Sequence, residues 1–202
     1  MEQSTHLPER PLPHLITVAG LSKSGKTTVV EALVSELLSR GHEVGTVKTM
    51  RHHSLSLDAP GTDSLRHSQA GASVVVAIHA EGTARFQKGA PPRSLSEVAC
   101  LFPESIRIIV CEGTLEQTEP HVVVLCLRAP ADLQETLAIR GITRDSVIAI
   151  SGEGALSWRQ KVLPSLDVMA FDVMDPGQKK ALADLLLTRI AQEDIPARKA
   201  RE

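Results

Sequence analysis

The stretch VAGLSKSGKTT, residues 18 to 28, limits what this chain can fold into more than any other part of it. Gly20, Gly25, Lys26 and Thr27 fit G-x-x-x-x-G-K-[ST], and the flanking residues turn that match into a structural prediction. HLITVA, residues 14 to 19, is a short β-branched apolar run suited to a strand buried on both faces. From Lys26 to Arg40, the apolar residues Val29, Val30, Leu33, Val34, Leu37 and Leu38 recur at one-turn spacing. Gly41 is placed to close that helix in a left-handed cap, and Glu31, Ser35, Glu36 and Arg40 fall on its exposed face. A glycine loop between such a strand and helix turns backbone N–H groups inward around a phosphate, and the helix N-terminus adds roughly half a positive charge. Lys26 is then expected at the β and γ oxygens of a nucleoside triphosphate, with the Thr27 hydroxyl on a bridging Mg²⁺. A glycine turn capped by Thr27 would also use these glycines, but it leaves Lys26 at a helix start, against the dipole, without a purpose.

The rest of the chain repeats the alternation of strand and helix. EVGTVK (43 to 48) reads as a second strand, and the aperiodic residues 49 to 61, with Pro60, form a loop of functional length. A short helix is expected over 62 to 71, then a hairpin of strands 73 to 79 and 82 to 88 turning about Ala80 and Glu81. RIIVCEG (107 to 113), VVVLCL (122 to 127) and VIAIS (147 to 151) read as buried strands, with helices over 131 to 139, 155 to 162 and 177 to 192. Strands apolar on both faces and alternating with helices predict an α/β fold, a mainly parallel sheet flanked by helices, of the P-loop NTPase kind. The expected organisation is one nucleotide-binding domain over 14 to 192, a loose tail before it containing Pro8, Pro11 and Pro13, and a charged tail over 193 to 202.

Composition narrows the partners. The net charge is -2 and aromatic residues make up 2%, with no Tyr and a single Trp, so neither a basic coat nor a stacking surface for nucleic acid is expected. No run approaches 18 apolar residues, which points to a cytoplasmic protein that does not engage a membrane. Cys100, Cys111 and Cys126 match no zinc or disulfide framework and read as small hydrophobes in a reducing compartment.

A phosphate loop needs an acid at the C-terminal end of a neighbouring strand, to hold the metal or orient a water. Glu112, directly after RIIVC, has that position, and an acid there is costly unless it meets a cation. Asp58 and Asp63 flank APGT, where either is a candidate for Mg²⁺ and both are equally explained by a turn followed by a helix cap. Lys48 and Arg66 are candidates for the phosphate side, and Arg51 with Arg66 for an arginine finger. His52 and His53 invite a transition-metal reading, but adjacent side chains diverge and no H-x-x-x-H or C-x-x-C partner accompanies them or His67 and His79.

Several of these segments, in the same order, resemble the MobB family, the molybdopterin-guanine dinucleotide biosynthesis adaptor proteins. The resemblance runs from Val18 to about Gly113 and rests on VAGLSKSGKTTVVEALVSELLSRGHEVGTVK, on HH followed by D-x-P-G-x-D-S, Arg66 and Ala70-Gly71, and on VCEG. It implies that Gly20 to Thr28, with Ser22, Lys23, Ser24, Gly25, Lys26 and Thr27 among them, hold the triphosphate of GTP. It implies further that Asp58, Asp63 and Glu112 surround Mg²⁺, with Glu112 and Asp63 acting in a slow hydrolysis. The implied role is a homodimeric GTP-binding adaptor assisting a molybdopterin guanylyltransferase, with molybdoenzyme maturation factors as further partners. GTP itself is implied only by the resemblance, since Thr143-Arg144-Asp145 is one residue too short for [NT]-K-x-D. VIAISGEG (147 to 154) is open to two readings, a wall of the base pocket or an ordinary strand-to-helix turn. The chain departs from the family where Thr49 follows Lys48 in place of His, where Thr62 replaces a Lys, and where Thr114-Leu115 follow Glu-Gly in place of an aromatic and Lys. Those departures fall around the substrate side, so they bear on the pathway step and the client and not on nucleotide binding; two other readings stand beside the adaptor, a P-loop small-molecule kinase with Arg85, Lys88 and Arg93 as lid cations, and a GTP-dependent metal-insertion chaperone using His52 and His53.

Overall fold

In the computed structural model, residues 11–50, 62–118, 122–152, 155, 166 and 168–193 are described. They divide into two compact units, Met1–Thr49 with Arg93–Glu202, and Met50–Pro92. The larger unit contains strands β1 (His14–Gly20) and β2 (Val44–Lys48) joined through helix α1 (Lys26–Ser39). The smaller unit holds α2 (Asp63–Gln69) and the strands β3 (Val74–His79) and β4 (Gly82–Gln87). The chain then returns to the larger unit with α3 (Leu95–Ala99), β5 (Ile108–Glu112), β6 (Val122–Cys126), α4 (Asp132–Arg140), β7 (Val147–Ser151), β8 (Met169–Ala170) and α5 (Pro176–Glu193).

The large sheet runs β2-β5-β1-β6-β7-β8, and each of its pairings is parallel. Parallel pairing explains the unbroken apolar runs, because successive side chains face opposite layers and both layers are covered by helices. Ile108, Val110, Val122 and Val124 pack with Val29, Leu33 and Leu37 of α1 and Leu182, Leu186 and Ile190 of α5. Their neighbours Val123 and Leu125 pack instead with Leu133 and Leu137 of α4, and Ile109 and Cys111 with Val98 of α3. One sequence run thus serves two cores. Cys111 and Cys126 are buried and Cys100 is exposed, all three as free thiols.

The expected strands and helices occur within a residue or two of their predicted ends, and three details differ. Glu36 and Arg40 do not belong to a free surface. Arg40 reaches Asp184 of α5 at 2.5 Å and Glu36 at 2.9 Å, so these charges fasten α1 to α5 while Leu38 stands 54% exposed. The two-residue β8 and the five-residue α3 were not expected, being too short to show a period. Helix α3 nevertheless carries a start signal: the Ser94 hydroxyl accepts from the Glu97 N–H at 3.3 Å, and the Glu97 carboxylate accepts from the Ser94 N–H at 3.1 Å. Of the helix expected over 155 to 162, all but Ala155 lies outside the described residues, as does most of the loop after Met50.

In the smaller unit, His79 pairs with Gly82 across the two-residue turn Ala80-Glu81, as the hairpin reading requires. Val74, Val76 and Ile78 share one face of β3 and are 41%, 51% and 84% exposed. Helix α2 packs against β3, and Lys88 donates to the Ser68 carbonyl.

Because the cap satisfies both the start of α3 and the return of the chain, Ser94→Ala is expected to lower the melting temperature by about 2 to 4 °C, the size of a lost helix cap in a chain of this length. Scanning calorimetry beside the wild type measures it, and Ser94→Asp, which keeps a capping oxygen, should restore most of the loss.

Candidate functional site

The loop leaves β1 at Gly20 and re-enters regular structure at Lys26, so its shape is set by four residues and two glycines. Gly25 sits in the left-handed region at φ 84°, where a side chain is strained, and it forms the N-cap of α1. A Cβ on Gly20 would collide with the Ser24 Oγ and the Cys126 carbonyl oxygen, so the first glycine of the motif is needed for close packing. Gly152 plays the same part from the other side, since a Cβ there would lie 2.5 Å from the Leu127 carbonyl and 3.0 Å from that of Ser24. Thus Gly152, the first residue after β7, backs the phosphate loop, and Glu153 and Gly154 lie outside the described residues.

Ser22, Lys23, Thr27 and Thr28 are exposed at the loop, Lys26 is half-buried, and Ser24 is buried with no hydrogen-bond partner for its hydroxyl among the described residues. Lys23 also adopts a positive φ of 59°, which turns the backbone where the loop bends. Lys26 Nζ donates to the Leu21 carbonyl at 2.6 Å, folding back on its own loop. Burial, and then the charge of Arg140, lower its pKa below the ordinary lysine value. Burial pushes the Cys126 thiol up to about 12, so beneath the loop it is a neutral apolar group and not a nucleophile.

Glu112 ends β5, beside β1, and its side chain is 12% exposed. The Thr27 hydroxyl lies 3.1 Å from both of its carboxylate oxygens, and Lys48 Nζ, at the end of β2, lies 3.1 Å from Oε1. Three expected site residues from three elements therefore meet at the C-terminal edge of the sheet. The backbone locks this corner as well: the Thr49 N–H donates to the Glu112 carbonyl at 3.0 Å, and the Gly113 N–H to that of Val18 at 3.0 Å. Gly113 has φ 111°, and a Cβ on it would collide with the Thr49 Oγ1. Thr49, the position where the chain departs from the family pattern, is accommodated by the missing side chain of Gly113.

Asp63 and Arg66 pair with each other at 3.3 Å within the smaller unit, on α2. Asp58, Arg51, His52 and His53 lie outside the described residues. Sequence reasoning missed Arg140, whose Nη2 donates to the Gly20 carbonyl at 2.9 Å. A basic residue in the last turn of a helix is favoured by the dipole alone, so nothing in the sequence marked it. Among the described residues no group of three or more His, Cys, Asp or Glu could hold a metal by itself. The Thr27 hydroxyl and Glu112 carboxylate are hard oxygen donors that suit Mg²⁺, an ion that takes one or two protein groups and completes its shell with phosphate and water. The residues present fit that ion.

A family model described as Molybdopterin guanine dinucleotide synthesis protein B matches residues 15–152. The chain belongs to this family. A Molybdopterin-guanine dinucleotide biosynthesis adapter protein of Haemophilus influenzae is 32% identical over 111 residues, which cover 54% of this chain and 62% of the relative. One of the same description from Escherichia coli is 37% identical over 62 residues, 31% of this chain and 35% of the relative. The chain thus matches about three-fifths of the first relative's length and about one-third of the second's. The crystal structure of Bacillus subtilis MobB superposes with a TM-score of 0.60 over 85% of this chain and 97% of that one, at 21% identity. The fold is therefore that of MobB proteins, a P-loop NTPase fold, and the residues matched by the family model include Thr27, Lys48 and Glu112 of the corner described above.

The Gly113 backbone is a strict requirement of that corner. Gly113→Ala is expected to lower the unfolding free energy by at least ~1 kcal/mol, from positive-φ strain and the collision with Thr49. Denaturant unfolding of Gly113→Ala, Thr49→Gly and the double variant checks it, with the second substitution recovering only the part due to the collision.

Proposed function

We propose that this chain is a GTP-binding adapter that assists the enzyme attaching guanylate to molybdopterin, holding GTP and Mg²⁺ at the phosphate loop. The observation that carries the reading is the meeting of Thr27, Glu112 and Lys48 in front of a loop whose backbone is bent at Gly25, in a chain of this family. Loop N–H groups and Lys26 bind the phosphates, and the Thr27 hydroxyl and Glu112 carboxylate hold the metal. The metal, when bound, neutralises charge on the phosphate oxygens. To meet the ligand, Lys26 gives up the Leu21 carbonyl and Glu112 loosens its pairing with Lys48, which becomes free to face phosphate. The guanine preference rests on family membership and on the names of the relatives.

Hydrolysis is slow in this reading. Arg66 is engaged with Asp63 on α2, and an arginine supplied to the transferring phosphate typically changes the rate by about 10³ to 10⁵. A guanylyltransferase that consumes GTP is the natural partner, in the cytoplasm, where free thiols such as these persist. The homodimer is supported by the apolar face Val74, Val76 and Ile78, an unusual amount of exposed aliphatic surface for a two-stranded hairpin.

Titration calorimetry of GTP and ATP, with and without Mg²⁺, tests the site. GTP should bind at least about tenfold more tightly than ATP, a gap of about 1.4 kcal/mol, and Lys26→Ala should lose at least about tenfold in GTP affinity with an unchanged melting temperature. Tighter binding of ATP would remove the guanine reading, and unaltered binding by Lys26→Ala the phosphate-loop reading itself. For the dimer, Ile78→Lys should give a monomer by sedimentation velocity without loss of GTP binding; a chain that is already monomeric as wild type ends that part.

A further inference from the structure

Two adjacent carbonyls at the start of the loop each accept from a cation: that of Leu21 from Lys26 at 2.6 Å, and that of Gly20 from Arg140 at 2.9 Å. The two cations are differently held. Lys26 has a flexible four-carbon stem and a phosphate to move to, if the reading above is right. Arg140 is partly buried at the end of α4, a helix anchored in the core by Leu133 and Leu137, and its Nε is buried without a hydrogen-bond partner. A planar guanidinium is pre-organised, so less freedom is lost per hydrogen bond than with a flexible ammonium. The bond from Arg140 keeps the Gly20 carbonyl turned to the Arg140 side at the point where β1 ends and the loop must begin presenting N–H groups.

Charge supports the same conclusion. Among the described residues, the charged side chains that act on Lys26 are those of Arg140, Lys48 and Glu112. The Glu112 carboxylate is spoken for by Lys48 and Thr27. The hydrogen bond given for Arg140 goes to a backbone carbonyl, so its positive charge is set at the start of the loop, close enough to act on Lys26.

We propose that Arg140 is a positioning residue of the phosphate loop: it fixes the Gly20 carbonyl and adds a positive charge beside Lys26 that strengthens the binding of polyphosphate ligands. The inference rests on the phosphate-loop reading and adds to it a residue outside the motif, 120 positions along the chain from the glycine it holds.

The experiment is calorimetric titration of the full chain with Mg²⁺-GTP across a potassium chloride series, for the wild type, Arg140→Gln and Arg140→Lys, with circular dichroism melts of all three. Arg140→Gln is expected to weaken binding by about tenfold, the worth of one hydrogen bond to a charged group, and to flatten the fall of affinity with salt. Arg140→Lys, which keeps the charge, should keep the wild-type salt dependence and bind within about threefold of wild type. Equal affinity in Arg140→Gln overturns the inference while leaving the phosphate-loop reading in place. So does a loss shared equally by both variants with no change in salt dependence, which is the mark of a purely structural role. If the wild type binds no GTP, both readings fall together. Should Arg140→Gln not fold, Arg140→Lys decides: wild-type salt dependence supports the proposal and a flattened one overturns it.

Discussion

The carboxylate of Glu112 is the group around which the C-terminal corner of the large sheet is arranged. An acid that is 12% exposed at the end of a buried strand loses most of its hydration, and an unpaired one would be expelled or neutralised. Here it is stabilised by a hydroxyl from α1 and an ammonium from β2, each 3.1 Å away. The three groups come from elements far apart in sequence, so the corner exists only when β1, β2 and β5 are in register. Lys48 aligns with Glu112, and Glu112 with Val18, in the two pairings that build this half of the sheet. A slip of one residue in either pairing would turn the acid or the lysine toward the opposite face.

Sheet topology explains why the corner is where it is. In a parallel sheet every strand ends on the same edge, and β1 has β5 and β2 on one side and β6, β7 and β8 on the other. In open parallel sheets ligands bind outside the C-terminal ends of the strands, and the loop at Gly20 begins at that edge. Gly20 fits against the end of β6 and Gly152 against the loop itself, so the strands on the far side act as a backing plate, while the strands on the near side supply the acid and the lysine. The charged groups of this corner meet close neighbours: Lys26 a loop carbonyl, Glu112 a lysine and a hydroxyl.

What the sequence revealed follows from the range of the forces involved. Strands such as RIIVCEG and VVVLCL were legible because burial on both faces removes polar residues from every position, and the loop because only glycine tolerates its backbone. The hairpin turn at Ala80-Glu81 was legible from the spacing of two β-branched runs. Helix α3 escaped because five residues cannot show a period, although Ser94 and Glu97 carried its capping signal. Glu36 and Arg40 were read as solvated because a helix pattern shows which residues are polar and not whether a second helix, α5, brings Asp184 to meet them. Arg140 escaped for the same reason: its partner is a backbone carbonyl on another element, and a carbonyl has no identity in a sequence.

The departure at Thr49 illustrates how such a corner tolerates change. The family pattern has His after the β2 lysine, and by sequence this departure falls on the substrate side, leaving nucleotide binding untouched. In the fold, Thr49 lies over Gly113, its N–H held by the Glu112 carbonyl, and its hydroxyl oxygen stands 3.4 Å from that same carbonyl. The residue therefore secures the backbone of the acid without touching the carboxylate. The absent side chain of Gly113 makes the room, and because that glycine also needs its positive φ, the space is kept open by a backbone constraint independent of what occupies position 49. A site whose geometry depends on strand register and on two or three glycines can exchange its surrounding side chains and keep its acid in place. The fixed physical element of the corner is the backbone path at Gly20, Gly25 and Gly113, and Thr49 is fitted around it.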